Sequence, residues 1–377
     1  MSLPIVSMKD VSIGFPGTEP FKHINFQIKK NECWALMGDN DSLINAMMEA
    51  IAGKAIISKG KLEFNFDEKE FVGEKKPSFH SVALLSTGQN FRNLSGVDES
   101  YYQQRYNSQD SENSLTLGTH LTNLYPNKSE TLWTLKKILD TLHLGPLLEE
   151  HLIKLSTGET KRVRIAEALS LNPKILLLNH IFTGLDVQSR KEIMHFIDAI
   201  STSGITIVMH TTIEEIPNCI THVAYVSAEN EIQIFLKNDF KIKGKSAPKS
   251  LNMELLKTLL SINTLPQFDT IVGMKNVSIE YDGHVILDRI NWEIKQGERW
   301  ALSGPNGSGK TTLLSLINGD NPQAFANDII LFDRKKGSGE SIWDIKKKIG
   351  FFSTELYQYF PPDTQCVYAI ESGFFDT

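Results

Sequence analysis

An α/β architecture, begun twice along the chain, is predicted by three observations. The first is the stretch Gly304-Pro-Asn-Gly-Ser-Gly-Lys310-Thr311-Thr312, with apolar Trp300-Ala-Leu before it and helix-forming Leu313-Leu-Ser-Leu-Ile317 after it. It fills every position of the G-x-x-x-x-G-K-[ST] template, in the strand-then-helix context that template needs. The second is a series of short apolar runs, Val82-Ala-Leu-Leu, Ile175-Leu-Leu-Leu178 and Ile205-Thr-Ile-Val-Met-His210, which suit buried strands. The third is an internal repeat: Met8-Lys-Asp-Val-Ser-Ile-Gly-Phe15 matches Met274-Lys-Asn-Val-Ser-Ile-Glu-Tyr281, an offset of 266 positions. From 8 to 38 the offset runs without a gap and gives 15 identities in 31 positions, where chance gives roughly one or two. That period is too long for a solenoid, so the sequence predicts a duplicated domain.

With 377 residues the chain has room for roughly two to three domains. A net charge of −6 argues against nucleic acid as the main partner. Cys33, Cys219 and Cys366 are far apart and lack metal-ligand spacing, which fits a reducing, cytoplasmic setting. No apolar run approaches the roughly 18 residues of a membrane span, and the N-terminus lacks a signal-peptide pattern. Direct membrane insertion is therefore not expected; peripheral attachment to the inner membrane would come through a partner.

In the phosphate-loop template, the glycines let backbone N–H groups curl around phosphates, and the helix N-terminus that follows favours anionic charge. The candidate binding residues are Gly304, Asn306, Gly307, Ser308, Gly309, Lys310, Thr311 and Thr312. Lys310 would reach the β- and γ-phosphates and the Thr311 hydroxyl would help hold Mg²⁺. This is the signature of a nucleoside triphosphate site.

The first copy departs from it. Gly38, Asn40 and Ser42 match Gly304, Asn306 and Ser308, but Asp41 replaces Gly307, Leu43 replaces Gly309, Ile44 replaces Lys310 and Asn45 replaces Thr311. The glycines needed for close backbone approach and the phosphate-binding cation are gone. The first loop reads as a structural relic, followed by a helix over 46–53 that ends at Gly53.

Further along, Gln89 is either a glutamine that senses metal and water or a surface amide. From 90 to 127 the chain is a polar excursion, whose Tyr101, Tyr102 and Tyr106 beside Arg105 suit base stacking or packing at a domain surface. Periodicity predicts a helix over 129–142. Leu155-Ser-Thr-Gly-Glu159 heads a basic amphipathic helix, where Ser156 and the Gly158 backbone can donate to a phosphate. The central strand from Ile175 ends in Asn179-His180, where a phosphate-loop ATPase should carry Asp for the Mg²⁺ shell and then Glu for the attacking water. Gly184-Leu-Asp186 opens a helix over 187–201 with Asp186 near its N-cap. His210 ends the next strand, either as a structural histidine or as a γ-phosphate contact. Closing strands follow at 223–226 and 232–236. A lysine-rich linker comes next, then Leu251, Leu255 and Leu259 marking an amphipathic helix.

This order of parts resembles the nucleotide-binding domains of ABC ATPases, twice over, and most of all the soluble tandem ATPases associated with photorepair or molybdate transport. The resemblance makes 155–159 the signature, 175–180 a Walker B with both acidic positions altered, 184–186 the D-loop and His210 the switch histidine. Tyr281, and less clearly Phe15, would stack adenine. It implies a P-loop NTPase fold with a first domain over 1–236, a linker over 237–268 and part of a second domain over 269–377. Thr354 stands where the family has its Q-loop glutamine, after a strand expected from Ile349. No second signature, Walker B, D-loop or switch histidine follows, so a truncated product or a fragment is expected. The ligands implied are ATP and Mg²⁺, in one composite site joining 304–312 to Ser156 and Gly158, binding weakly and turning over little. Expected partners are a membrane transporter subunit or a second copy of the chain. Two other readings remain: a soluble ABC switch on ribosomes or DNA, and a catalytically dead remnant.

Overall fold

The computed structural model describes residues 3–15, 19–66, 81–86, 115–125, 132–240, 253–254, 257–258, 266–281, 283–305, 307–351 and 364–372. The expectations for Gln89, Tyr101, Tyr102, Arg105, Tyr106, Leu251, Leu255, Leu259, Asn306 and Thr354 lie outside the described residues. The chain divides into two compact units, Met1–Lys241 and Ile242–Thr377.

In the first unit, β1 (Val6–Gly14), β2 (Phe21–Ile28) and β4 (Ile56–Phe64) form an antiparallel sheet in the order β2-β1-β4. The second sheet has six strands in the order β5 (Val82–Leu85), β6 (Ile175–Asn179), β7 (Thr206–His210), β3 (Trp34–Gly38), β8 (His222–Val226) and β9 (Ile232–Leu236). All of its pairings are parallel except β8 with β9. Its inner strands β6, β7 and β3 are buried nearly throughout because both faces are covered, whereas the edge strand β9 leaves Ile234 and Leu236 exposed. Trp34 and Leu36 of β3 face a core shared with α1 (Asp41–Ile51), β1 and β2, while Ala35 and Met37 face one shared with α4 (Thr157–Ser170) and α5 (Val187–Ser201). Between β5 and α4 come α2 (Leu117–Leu124) and α3 (Leu135–Thr141), packed on that second face through Leu117, Leu121 and Ile138.

Two helices differ from the sequence reading. Helix α1 starts at Asp41, five residues earlier than expected, because the Asn40 side chain caps it by accepting from Leu43 N at 3.0 Å. It ends where Gly53, at φ +73°, allows Lys54 N to reach Glu49 O and Gly53 N to reach Ala50 O. Helix α3 starts only at Leu135, since Thr134 caps it through Lys137 N; of the expected span, residues 129–131 lie outside those described.

The second unit has an antiparallel sheet in the order β11 (His284–Lys295), β10 (Thr270–Tyr281), β12 (Asp328–Leu331) and β13 (Arg334–Lys335). Leu313 and Leu316 of α6 (Lys310–Asn318) close its core over Val272, Met274, Val277 and Ile279. Two short helices follow, α7 (Ile342–Lys346) and α8 (Cys366–Ser372).

The β1–β2 and β10–β11 segments share their strand register and several side-chain bonds. Asp10 N donates to Asn25 Oδ1 at 3.0 Å and Asn276 N to Asn291 Oδ1 at 2.9 Å. Lys29 N donates to Glu32 Oε2 at 2.8 Å and Lys295 N to Glu298 Oε2 at 3.0 Å.

The likeness stops at the strand expected before the phosphate loop. Trp34-Ala-Leu is at most 2% exposed and pairs with β7 and β8, whereas the identical Trp300-Ala-Leu forms no strand, with Trp300 58% and Leu302 42% exposed. A parallel strand needs neighbours on its edges, and among the described residues of the second unit none pairs with 300–302. The strand expected from Ile349 is likewise not formed over 349–351. There Ile349 N instead closes a turn onto Lys346 O behind α7.

Candidate functional site

In the second unit the phosphate loop runs directly into α6. Gly307 and Gly309 have φ of +80° and +82°, and Gly309 is the helix N-cap. A Cβ on Gly309 would lie 2.8 Å from Leu287 Cδ2 and 3.1 Å from Ile286 O, so only glycine fits the turn where it crosses β11. Lys310 folds back over the loop, with Nζ donating to Gly304 O at 2.8 Å and Pro305 O at 2.6 Å. These bonds hold an ammonium at the mouth of the loop, beside the positive end of the helix dipole. Gly304 and Ser308 are close neighbours: a Cβ on Gly304 would meet Ser308 Oγ at 2.8 Å. Thr311 is exposed on the first turn while Thr312 is buried, so of the two hydroxyls only that of Thr311 is open to an incoming ion. Tyr281, at the end of β10, is half-buried and its hydroxyl accepts from Asn321 Nδ2 at 2.8 Å.

The matching locus of the first unit is built differently. A Cβ on Gly38 would overlap the backbone carbonyl of Val226, so this glycine is required by packing against β8 rather than by a ligand. Asn179 ends β6 and His180 follows it, His210 ends the adjacent β7, and Asn179 pairs directly with His210 in the parallel register. Asp41 and Asn45 reach the same point from the first turns of α1. Asn179 Nδ2 donates to Asn45 Oδ1 at 3.0 Å, and His210 Nδ1 faces Asn179 Oδ1 at 3.0 Å and Asn45 Oδ1 at 3.2 Å. His210 Nε2 lies 3.1 Å from Asp41 Oδ1, and the rings of His180 and His210 are 3.8 Å apart between centroids. Burial, reinforced by the neighbouring His180 ring, pushes the His210 imidazole down to about 4, against a smaller upward pull from Asp41.

The structure thus brings together Asn179, His180 and His210 and adds Asp41 and Asn45 to them. Sequence reasoning missed that grouping because its members come from three distant segments. Only the strand order, with β3 and β6 flanking β7, makes them neighbours.

Ser156 and Gly158 stand at the start of α4. Ser156 Oγ accepts from Glu159 N at 3.3 Å while Ser156 N donates to Glu159 Oε2 at 2.8 Å, a reciprocal capping box. The hydroxyl proton of Ser156 is still available to donate. A Cβ on Gly158 would lie 3.0 Å from Ser189 Oγ, on the first turn of α5, whose N-cap Asp186 accepts from Ser189 N at 2.7 Å. The glycine keeps two helix starts close together.

The sequence profile of the ABC transporter family matches residues 21–181 and 287–366, more than half of the chain. ABC transporter ATP-binding protein ModF of Escherichia coli (strain K12) is 28% identical over 358 residues, covering 93% of this chain and 70% of that protein. An uncharacterized ABC transporter ATP-binding protein of Schizosaccharomyces pombe is 30% identical over 372 residues, covering 95% and 72% respectively. A ribose import ATP-binding protein of Bacillus subtilis, RbsA, is 22% identical over 352 residues, covering 92% and 67%. No helix among the described residues is long and apolar enough to cross a membrane. The chain belongs to the ABC transporter ATP-binding family, whose members bind ATP, typically with Mg²⁺, and hydrolyse it.

Proposed function

We propose that the chain binds Mg-ATP through the second unit's loop, Gly304 to Thr312, and couples that binding to a transport or regulatory task. The observation that carries this is the loop itself. Two left-handed glycines open its backbone, Lys310 lies over its mouth and Thr311 is exposed on the first helical turn. Lys310 would leave the Gly304 and Pro305 carbonyls for the β- and γ-phosphates, exchanging neutral acceptors for charged ones. Thr311 would complete the Mg²⁺ shell, and Tyr281 would stack on the base.

In this reading the two units descend from one duplicated domain. The first has lost its own triphosphate chemistry, because Asn45 and Asn179 satisfy one another where a hydroxyl and a carboxylate would hold Mg²⁺. It keeps the signature residues Ser156 and Gly158, placed at a helix start where they can donate to a phosphate. The ATP-binding relatives, one of them named for ribose import, favour a transporter subunit as partner, with a second copy of the chain as the other arrangement.

Equilibrium titration with a fluorescent ATP analogue and Mg²⁺ tests the site. Lys310→Ala should weaken binding at least tenfold, as expected for lost charge-assisted hydrogen bonds of about 1.5–3 kcal/mol each. Equal affinity in the two proteins would sink the assignment.

A further inference from the structure

We propose that Asp41, His180 and His210 of the first unit form a binding site for a transition-metal ion of the zinc class. The inference stands on the first unit alone and is independent of how the second unit's loop is read.

Each of the three residues offers a ligand atom, and those atoms lie within 4.8 Å of one another. The hydrogen bonds around His210 decide what its ring can do. Asn45 Oδ1 accepts from Asn179 Nδ2 at 3.0 Å. His210 Nδ1 faces this oxygen and Asn179 Oδ1, and with the two amides turned this way the ring hydrogen sits on Nδ1. Nε2 is then left with a lone pair, and that lone pair points at a carboxylate oxygen of Asp41 only 3.1 Å away. A proton on Nε2 makes this contact a hydrogen bond, and a metal ion can take the proton's place between the same nitrogen and carboxylate. A histidine whose second nitrogen donates to an amide or carboxylate oxygen, fixing tautomer and ring orientation, is the usual arrangement of a metal ligand.

His180 supplies the third ligand from a constrained backbone. Its φ is +48°, uncommon for a residue with a side chain, and its N–H is held by His210 O at 3.3 Å. That conformation turns the chain sharply at the end of β6 and sets the His180 ring 3.8 Å from the His210 ring. Two imidazoles beside one another and a carboxylate are a donor set for zinc and its neighbours, whereas Mg²⁺ and Ca²⁺ prefer all-oxygen shells. Zinc bonds of about 2.0–2.2 Å place ligand atoms about 3.3 Å apart in a tetrahedron. The His210–Asp41 pair already has nearly that spacing, and the Asp41 side chain, 68% exposed, can swing toward an ion while the His180 ring turns away from its contact with the His210 ring to present a nitrogen. Its exposure also gives an ion a route in from solvent.

The test is calorimetric titration of Zn²⁺ into the full chain, stripped with EDTA and dialysed, without nucleotide. One equivalent should bind with micromolar or tighter affinity and persist in millimolar Mg²⁺. Co²⁺ in its place should give the visible absorption of a nitrogen- and oxygen-ligated ion. Asp41→Asn and His180→Ala should each weaken binding at least tenfold, with far-ultraviolet circular dichroism confirming the fold. If His180→Ala does not fold, the exposed Asp41→Asn decides alone. Absence of saturable Zn²⁺ binding at micromolar concentration, or affinity unchanged by the substitutions, overturns the proposal.

Discussion

Lys310 Nζ lies 2.8 Å from the carbonyl oxygen of Gly304, so the cation of the phosphate loop is also a clasp on the loop's own backbone. Removing it should loosen the loop before any ligand is involved. We expect Lys310→Ala and Lys310→Met alike to speed amide exchange over 307–309 by about tenfold, or ~1.4 kcal/mol of local opening. The buried core around Leu316 should be unchanged. Slow exchange retained in Lys310→Met would show that the side-chain stem, and not the ammonium, closes the loop.

Gly309 and Gly307 share a left-handed conformation but not their surroundings. Gly309→Ala places a methyl 2.8 Å from Leu287 Cδ2 in addition to the backbone strain, and nothing lies within 4 Å of a Cβ on Gly307. Urea denaturation of the second unit should register about 2–3 kcal/mol for Gly309→Ala and ~1 kcal/mol for Gly307→Ala. Equal losses would mean that β11 yields freely to the added methyl.

At the signature, Ser156→Ala should cost ~1 kcal/mol by removing half of the capping box, and Ser156→Thr should largely restore it. Gly158→Ala presses instead on Ser189, whose Oγ would be 3.0 Å from the new methyl. Its cost should shrink in a Ser189→Ala background, with a coupling of about 0.5 kcal/mol or more. Simple additivity in that double-mutant cycle would remove the contact from the account.

Glu167 gives a pH dependence with a definite sign. Burial alone would raise its carboxyl, but His120 Nε2 at 2.7 Å and Arg164 Nη1 at 2.7 Å outweigh it and hold the group below its ordinary value of 4.5. On acidification the unfolded chain therefore takes up the proton first. The stabilisation is fully present above the ordinary value and is lost as pH falls through the lowered one. Glu167→Gln should cost about 1–2 kcal/mol at pH 7, and much less at pH 3, read from urea midpoints at the two pH values. A cost independent of pH would mean that packing, not charge, is what the glutamate contributes.

The parts legible in the sequence are those whose cause is local or periodic. The buried runs at Val82, Ile175 and Thr206 are strands, because five or so apolar residues in succession suit a sheet covered on both faces. The glycines and Ser156 announce helix starts that the structure makes. The start of α1 is legible in Asn40, a capping residue whose side chain accepts from Leu43 N. The grouping of Asp41, His180 and His210 has no sequence signature, since its spacing is set by strand order across the sheet. A strand at 300–302 was expected from residues that do form one elsewhere in the same chain. Edge pairing is a property of neighbours, and a tripeptide cannot carry it.

That last contrast makes the molecule its own control experiment. Trp34-Ala-Leu and Trp300-Ala-Leu have identical composition and intrinsic propensity, and even the indole bond recurs, Trp34 Nε1 to Glu32 and Trp300 Nε1 to Glu298. What differs between them is the company of β7 and β8. Amide exchange measured at the two tripeptides in one sample therefore subtracts the local term and leaves the protection that sheet partners alone confer.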